Sequence, residues 1–546
     1  MEVLPNELLI ECFKYLDGLH IFHSFDELNF RFSKLIRHIQ LHIDFRNMTT
    51  LEYYQICKRL LSDSEIKKQI YSLKLTTRNA YQIEIVESKF SSFDGFYYFR
   101  SLSLITFYED SHAQWNRDLS KLFQLRCFHM IDTIFAVSSY LTKLPMSQMQ
   151  ILTLPTIQST DLTRINFSSI TTLKIFGSHM IYIHDFLTDM TNLKYPHAKV
   201  SYSYGTRPYK YDEKMKNLIM NNPSTSLRKL TLRHCKDGFV FVEDLLKRTP
   251  NLIVLTLIDY QDENLFNVNQ WQSLIQSKLT KLKLFNFTCS FRSHIRHSEV
   301  REVFQQLQNE FWLKEHQWCT DCILLKEYSM LYTVPYAYTK YTLESFSEAV
   351  FNKTIDYHQN IFDSVKYLKF KFDPIIHKYP YYFPSVISIE LDQCYLNEEY
   401  VELLKTMVNL TNLSNLSISS NCQLEQSSVL LKILKQMPNL ASLSVDHETL
   451  ISLLDDDFYQ ISTLWRTFQN IEELECAIKN RQSIRFILEY LRNLTSMKIH
   501  LETITTTVVN SFAWFAEEIA GKLDRKIVVE SVLDTKTLSI WISKKK

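Results

Sequence analysis

The chain has 546 residues, of which 45% are hydrophobic, and its 61 basic residues nearly balance its 60 acidic ones. This length exceeds what one compact core supports and suits an elongated repeat array. The charge balance argues against a dedicated nucleic-acid binder, which needs a basic excess to neutralise phosphates. We find neither a run of roughly 18 apolar residues nor an apolar leader behind a basic start, so we expect an intracellular protein, cytoplasmic or nuclear, that does not bind membranes.

The six glycines are widely separated along the chain. Phosphate-binding loops, dinucleotide fingerprints and nucleophile elbows need clustered glycines, either to bring the backbone close to a ligand or to turn sharply. The sequence also lacks a His-Glu-x-x-His helix, and its ten cysteines are scattered rather than spaced as a disulfide framework. We therefore predict that the protein is not an enzyme, has no catalytic residues and binds no cofactor.

The first 45 residues predict three short amphipathic helices. Pro5 suits the first position of a helix, because its missing N–H has no partner to lose. Gly18 is expected to end this helix in a left-handed conformation. A second helix is predicted near residues 21–25. The apolar face of a third helix would carry Leu28, Phe32, Leu35 and Ile39. A bundle this small needs a partner or an adjoining domain.

The segment from Leu4 to Asp17 resembles the opening of the F-box, which reads roughly Leu-Pro-x-Glu-Leu-Leu-x-x-x-Phe-x-Tyr-Leu-Asp. The matching residues are Leu4, Pro5, Glu7, Leu8, Leu9, Phe13, Tyr15, Leu16 and Asp17. The resemblance implies a three-helix module that docks on a Skp-type adaptor and, through it, on a cullin scaffold. By position, the candidate adaptor-binding residues are Leu4, Pro5, Leu8, Leu9, Phe13 and Leu16. Further on, residues 28–32 replace the usual Val-Cys-x-x-Trp, and an amphipathic helical cap on a repeat domain is the alternative interpretation.

A short pattern recurs along the rest of the chain, as in Leu227-x-x-Leu230-x-Leu232. It consists of a leucine, two residues of any type, and then two apolar residues with one residue between them. The alternation predicts a strand with one buried face. We call the first residue of each pair the anchor. Anchors are expected at Leu102, Phe128, Leu152, Leu173, Leu230, Leu255, Leu282, Leu368, Ile389, Leu416, Leu443, Leu474 and Met497. Most are 21 to 31 residues apart, the spacing of leucine-rich repeats, and a degenerate repeat is expected near Leu193.

These repeats predict an α/β solenoid, because a strand–turn–helix unit buries its apolar face only by stacking on neighbours. The pattern resembles the leucine-rich repeats of F-box proteins, which implies a horseshoe with parallel strands on the concave face and helices outside. Another parallel-strand solenoid is the alternative. The predicted division is an F-box-like domain at 1–45, a helical linker at 46–68, leucine-rich repeats at 69–284, an insertion or degenerate repeats at 285–364, and repeats with a C-terminal cap at 365–546.

The insertion contains a helix-like stretch from Val300 to Leu313 and an aromatic run from Tyr332 to Tyr341. Such a segment either shapes target binding or packs into the core, and aromatic residues at helical spacing favour packing. His316, Cys319 and Cys322 form a metal-like cluster. A structural zinc site needs four ligands, and no second pair stands at a known spacing, so we predict no metal.

The exposed positions of the predicted strands carry the remaining functional candidates. The target-binding candidates are Arg233, Lys281, Lys283, Lys369, Lys371 and Glu390. A basic patch beside an acidic strand would select a target of complementary charge, and an ordinary solvated surface is the alternative. The resemblance thus implies a non-catalytic subunit that recruits a protein target, of unspecified identity, to a cullin-based ubiquitin ligase. A repeat scaffold without ligase function is the alternative.

Overall fold

A computed structural model describes residues 4–26, 28–45, 57–58, 63–76, 93–105, 119–131, 138–155, 168–178, 195–200, 226–233, 238–260, 266–292, 295–325, 328–344, 346–350, 361–371, 381–446, 449, 470–477, 487–488, 491, 493–500, 514, 518–519, 521, 525–532 and 537–544. The chain forms two compact units. The first comprises Met1–Phe291 with Gln305–His316, and the second comprises Arg292–Phe304 with Gln317–Lys546.

Three helices open the first unit: α1 (Asn6–Phe13), α2 (Gly18–Phe25) and α3 (Phe30–Ile36). Their shared core is aromatic. The ring of Phe13 lies 5.1 Å from that of Phe25 and 6.3 Å from that of Phe32, measured between centroids. Asn29 caps α3 by accepting a hydrogen bond from the backbone N–H of Phe32 at 3.0 Å, a contact that satisfies one of the free donors at a helix start.

Gly18 has a different role from the one we predicted. It begins α2 instead of ending α1 in a left-handed conformation. A Cβ atom at this position would lie 2.9 Å from the backbone oxygen of His42, which belongs to the first strand. Glycine is therefore required here because the helix approaches the strand backbone too closely for any side chain.

Ten parallel strands of the first unit follow one another in chain order within the described residues. They are β1 (Leu41–Asp44), β2 (Ile70–Thr76), β3 (Ser101–Ile105), β4 (Cys127–Ile131), β5 (Ile151–Leu154), β6 (Thr172–Ser178), β7 (Tyr195–Val200), β8 (Lys229–Arg233), β9 (Val254–Tyr260) and β10 (Leu284–Arg292). The connecting helices are α4 (Ser64–Gln69), α5 (Ser138–Leu141), α6 (Gly238–Lys247) and α7 (Val268–Lys278), with short helical turns at Leu119–Lys121, Met146–Gln148 and Phe311–Glu315. Of the predicted helical linker at 46–68, residues 46–56 and 59–62 lie outside the described part of the chain.

The register of this sheet confirms most of the predicted anchors. Leu73, Leu102, Phe128, Leu152, Leu173 and Pro196 are successive backbone partners. Strand β7 supplies the degenerate repeat expected near Leu193, although Leu193 itself lies outside the described residues. Further along, Leu230 pairs with Leu255, and Leu255 pairs with Phe285.

The anchor predicted at Leu282 is wrong by three residues. Phe285 occupies the anchor position and is fully buried, whereas Leu284, which we expected to be buried, is 42% exposed. The error arose because Leu279, Leu282 and Leu284 fit the leucine spacing and Phe285 does not. Strand β10 also spans the boundary that we placed between residues 284 and 285.

The second unit opens with α8 (His297–Gln306, which continues two residues beyond the unit boundary) and an antiparallel group, β11 (Cys319–Leu325), β12 (Tyr328–Val334) and β14 (Phe346–Val350). A nine-stranded sheet follows in the order β13, β15, β16, β18, β20, β21, β22, β24, β23. Its strands are β13 (Lys340–Glu344), β15 (Tyr367–Lys371), β16 (Ser388–Asp392), β18 (Asn415–Ile418), β20 (Ser442–Val445), β21 (Glu473–Ala477), β22 (Ser496–His500), β23 (Arg525–Val532) and β24 (Thr537–Lys544). The remaining elements are the paired strands β17 (Tyr395–Leu396) and β19 (Gln423–Leu424), the helices α9 (Glu398–Met407) and α10 (Ser427–Lys435), and a turn at Leu410–Asn412.

All six anchors predicted for this sheet are in register. Leu368, Ile389, Leu416, Leu443, Leu474 and Met497 are successive backbone partners in parallel strands. Strands β24 and β23 then close the sheet as an antiparallel pair. The parallel strands and intervening helices confirm a repeat-like α/β fold.

Part of the predicted insertion at 285–364 contributes to the core. Tyr332, Tyr336 and Tyr341 are at most 4% exposed, and their rings contact one another edge to face. The packing interpretation of the aromatic run is therefore confirmed for these three residues. The sheet of the second unit also begins inside this segment, because β13 pairs in parallel with β15.

Both sheets share one backbone device at the residue that precedes each strand. The carbonyl oxygen of Arg126, for example, accepts hydrogen bonds from the N–H groups of Gln150 (2.8 Å) and Ile151 (3.0 Å) of the next repeat. In the second unit, the carbonyl oxygen of Lys366 accepts from Ile387 (3.0 Å) and Ser388 (3.1 Å) in the same way. We call this series of two-donor contacts the carbonyl ladder. Its main-chain contacts fix where these strands begin, and the hydroxyl groups of Ser414 and Thr495 donate to two of the same carbonyl oxygens, at 3.2 Å and 3.0 Å.

Candidate binding surfaces

The six candidate adaptor-binding residues do not share one environment. Leu4, Pro5 and Leu8 are exposed, and Leu16 is partly exposed. Leu9 and Phe13 are 0% and 2% exposed, respectively, so they belong to the helical core. A helix of this length has an inner and an outer face, and the motif residues alternate between the two. Only the outer residues are available to a partner.

Large apolar side chains outside the six adaptor-binding candidates are also exposed. Phe30 is 84% exposed, Tyr15 82% and Leu28 59%, beside Leu8 at 52%. Arg31 holds the start of α3 against the start of α1, because its guanidinium donates to the side-chain oxygen of Asn6 at 2.8 Å and to the carbonyl oxygen of Leu4. Exposed apolar residues of this size mark interaction surfaces when they cluster. We call Leu4, Leu8, Leu28 and Phe30 the apolar end of the helices.

The charged target-binding candidates of the second unit are paired with one another or with their neighbours. Lys369 on β15 contacts Glu390 at 2.7 Å and Asp392 at 3.1 Å, both on β16. Lys371 contacts Glu344 on β13 at 3.7 Å. The hydrogen bond to Glu390 raises the pKa of Lys369. Burial alone would raise the pKa of Asp392, but its hydrogen bonds, chiefly from Lys369, outweigh burial and lower that pKa. The predicted contrast between a basic patch and an acidic strand is thus neutralised within the sheet.

A second ion-pair cluster lies on β21 and β22. Glu475 contacts Lys498 at 2.8 Å and His500 at 2.6 Å. Between this cluster and the first, strands β18 and β20 carry only Asn415, Ser417, Ser442 and Ser444 at exposed-face positions. The exposed face of this sheet therefore alternates between self-paired charges and small neutral groups.

Of the three candidates of the first unit, Arg233 lies on its predicted strand, and Lys281 and Lys283 occupy different places from those we predicted. Arg233 lies at the end of β8, is partly exposed and has Ile258 as its backbone partner. Lys281 and Lys283 lie before β10, not on its exposed face. Their placement follows from the three-residue anchor error described above. Lys281 Nζ donates to the side-chain oxygen of Asn251 at 2.6 Å.

Sequence reasoning missed a group of exposed cations at the start of the strands in the first unit. Arg100, Arg126, Arg228 and Lys283 each directly precede a strand. Arg126, Arg228 and Lys283 are exposed, and Arg100 is partly exposed. The sequence did contain a signal for this group, because an arginine stands two residues before each of the anchors Leu102, Phe128 and Leu230.

The face of this same sheet is electropositive around His129. Its ring Nδ1 lies 2.8 Å from Thr153 Oγ1. Burial lowers the pKa of His129 to about 4, with further lowering by the positive charges of Lys174 and Lys74. A neutral imidazole is the form that such surroundings favour.

The residues of the metal-like cluster do not present a ligand set. Cys319 and Cys322 are three residues apart on β11, so their side chains point to opposite faces. Burial raises the pKa of the Cys322 thiol to about 12, whereas zinc binds the thiolate. His316 stacks edge-on against Phe311 at 4.6 Å. Within the described part of the chain, no three His, Cys, Asp or Glu side chains are grouped to hold a metal ion.

The described strands and helices define a repeat-like α/β protein, with an apolar end on its N-terminal helices and two sheets of contrasting charge. No family model matches the chain, and no curated protein matches it. Among solved structures, the crystal structure of the Rad7 and Elc1 complex in yeast is similar over 81% of this chain and 82% of that chain, at 13% sequence identity and a TM-score of 0.30. At this score the likeness carries no functional conclusion. Among the described residues, no helix is long and apolar enough to cross a membrane.

Proposed function

We propose that this protein is a non-catalytic substrate-recognition subunit of a cullin-based ubiquitin ligase. Its N-terminal helices would bind a Skp-type adaptor, and its repeat sheets, of the leucine-rich type, would bind a protein target. The observation that carries the proposal is the apolar end of the helices, in which Leu4 and Leu8 belong to the segment that resembles the F-box and Leu28 and Phe30 lie beyond it. Leu8 and Phe30 expose 52% and 84% of their surface there, which is costly in water unless a partner covers them.

The proposed mechanism is proximity. A target held by the sheets and an adaptor held by the helices would be parts of one assembly, so target lysines would be present at a high effective concentration near a ubiquitin-charged enzyme bound elsewhere. This mechanism needs no catalytic residue in the chain itself, in keeping with the lack of a recognisable catalytic motif.

The test is binding of the purified chain to a Skp-type adaptor, measured by calorimetry. We expect the double variant Leu8→Asp/Phe30→Asp to weaken binding at least about thirtyfold, because each charge would be buried in an apolar interface. Phe13→Asp is unsuitable, because Phe13 is 2% exposed and the variant would disrupt the helices themselves.

Tyr97→Asp/Phe123→Asp is the matched control. Tyr97 and Phe123 are 62% and 74% exposed and lie on the same unit, outside the N-terminal helices. The control should bind the adaptor within about twofold of the natural chain. No binding by a folded natural chain would leave a leucine-rich repeat scaffold without ligase function, and equal losses in both variants would show that the apolar end is not the contact.

A further inference from the structure

The residue before each strand is displayed at a regular edge of the sheet. In the first unit, the carbonyl ladder runs through Arg100, Arg126, Gln150 and Thr171, and resumes through Arg228, Ile253 and Lys283. We call Arg100, Arg126, Arg228 and Lys283 the basic edge. The two-donor contacts themselves are made by backbone atoms, although the guanidinium of Arg228 also donates to the backbone oxygen of Asn251 at 3.4 Å.

The second unit shows that the fold does not require cations here. Its ladder runs through Thr339, Lys366, Ile387, Ser414, Ala441, Glu472 and Thr495. That series contains one base and one acid, whereas the described series of the first unit contains four bases and no acid. The same backbone device thus carries a net positive charge in one unit and none in the other.

The spacing of the basic edge suits an extended ligand. From β3 to β10 there are seven strand steps, which span about 34 Å along the sheet at roughly 4.8 Å per step. An extended peptide of about ten residues covers that length. Arginine is suited to such a ligand, because its planar guanidinium donates two parallel hydrogen bonds to a carboxylate.

Exposed aromatic residues accompany the arginines. Tyr97 and Tyr98, 62% and 58% exposed, lie just before Arg100, and Phe123, 74% exposed, lies just before Arg126. Aromatic and arginine side chains together are typical of the residues that dominate protein–protein binding energy. Apolar area beside the cations would favour a peptide over a free anion.

We propose that the basic edge binds an extended, Asp/Glu-rich segment of a protein partner. A protein is favoured over a nucleic acid, because the whole chain carries 61 basic against 60 acidic residues and has no general attraction for polyphosphate. The inference deepens the proposed function, since the segment would belong to the recruited target, but the contact itself does not depend on adaptor binding.

The test measures binding of the full chain to a labelled twelve-residue peptide of alternating Asp and Glu by fluorescence anisotropy. The matching peptide of Asn and Gln is the neutral probe. A twelve-nucleotide single strand of DNA is the second anionic probe. We expect the acidic peptide to bind, the neutral peptide to bind at least about tenfold more weakly, and the acidic binding to weaken as salt rises from about 50 to about 500 mM.

The triple variant Arg126→Gln/Arg228→Gln/Lys283→Gln should weaken acidic-peptide binding at least about tenfold. The control Lys278→Gln/Lys405→Gln/Lys435→Gln removes the same charge from exposed helical positions and should stay within about twofold. The charge-preserving variant Arg126→Lys/Arg228→Lys should bind more tightly than the triple variant and less tightly than the natural chain, because lysine keeps the charge without the paired hydrogen bonds of arginine. This result separates a charge effect from a folding effect.

Three results would overturn the inference: equal losses in the triple variant and its control, no discrimination between acidic and neutral peptides, or DNA binding as tight as acidic-peptide binding. Adaptor binding in the same variants separates the two proposals. The triple variant should keep it, whereas Leu8→Asp/Phe30→Asp should lose it and still bind the acidic peptide.

Discussion

The two sheets of this protein have the same backbone plan and differ in the charges that stand just before their strands. In the second unit, exposed lysines on the sheet face pair with acids on neighbouring strands, as Lys369 does with Glu390 at 2.7 Å. In the first unit, Lys74 pairs in the same way with Asp44 at 3.0 Å, but cations also stand just before four of the strands. The repeat therefore determines the positions at which side chains are exposed, whereas the charges at those positions differ between the two units.

The largest expected effect concerns the core of the first sheet, where the anchor row ends in an aromatic residue. The ring of Phe285 lies 5.2 Å from that of Trp271. We expect Phe285→Ala to reduce the free energy of unfolding by about 3–5 kcal/mol, because it removes buried apolar surface and leaves a cavity. Denaturant unfolding followed by tryptophan fluorescence measures this.

Leu284→Ala is the control for Phe285. Leu284 is adjacent in sequence and 42% exposed, so its loss should cost no more than about 0.5 kcal/mol. If Leu284→Ala lowered the free energy of unfolding more than Phe285→Ala, the result would contradict the register of β10 and favour the anchor at Leu282.

A smaller effect concerns pH and the positive surroundings of His129. Its pKa of about 4 in the folded chain lies below the value of about 6.5 expected after unfolding. As pH falls below 6.5, protons bind the unfolded chain preferentially, so stability is lost down to about pH 4 and the loss then levels off. The total is up to about 3 kcal/mol.

His129→Gln should remove this part of the pH dependence. His38→Gln changes an exposed histidine on the same unit and should leave the dependence as it is. Thermal unfolding between about pH 7 and pH 4 distinguishes the two. An unchanged slope in His129→Gln would mean that neither burial nor the neighbouring lysines lower the pKa of this ring.

The smallest effect concerns helix caps, which both units build alike. Asn267 caps α7 through the N–H of Gln270 at 3.1 Å, and Asn397 caps α9 through the N–H of Tyr400 at 2.9 Å. Asn267→Ala and Asn397→Ala should each cost about 1 kcal/mol in the free energy of unfolding. If the two substitutions lowered the free energy of unfolding by different amounts, the two units would differ in helix stability as well as in charge.

Gln426 provides the converse experiment. It precedes α10 without capping it through its side chain, and Gln426→Asn should raise stability by a few tenths of a kcal/mol to about 1 kcal/mol. Gln426→Ala should be close to neutral in the same unfolding measurement, since no cap is removed.

The buried side of both sheets was predictable from the sequence. Leu416 and Leu443 follow the leucine spacing and pair as expected, because one buried row in a stack of parallel strands demands apolar residues at a fixed position. Prediction failed where other residues filled that position. Pro196 occupies the row in β7 and Phe285 in β10, and neither belongs to the leucine pattern.

The candidate sites were less predictable, because exposure depends on tertiary packing. The family motif does not distinguish the outer Leu8 from the inner Phe13; the helix packing does. The pairing of Lys369 with Glu390 depends on strand neighbours 21 residues apart, and the antiparallel group of β11, β12 and β14 has no repeat from which to infer it.

The carbonyl ladder has a consequence for how such a protein changes over time. Where a strand is set by two N–H groups and one oxygen of the main chain, as at Arg126 with Gln150 and Ile151, the ladder contact does not depend on which side chain stands there. Substitution at these positions would alter what the edge attracts while leaving the register intact. The ladder thus offers a row of sites at which new binding preferences can arise one residue at a time, without first destabilising the fold.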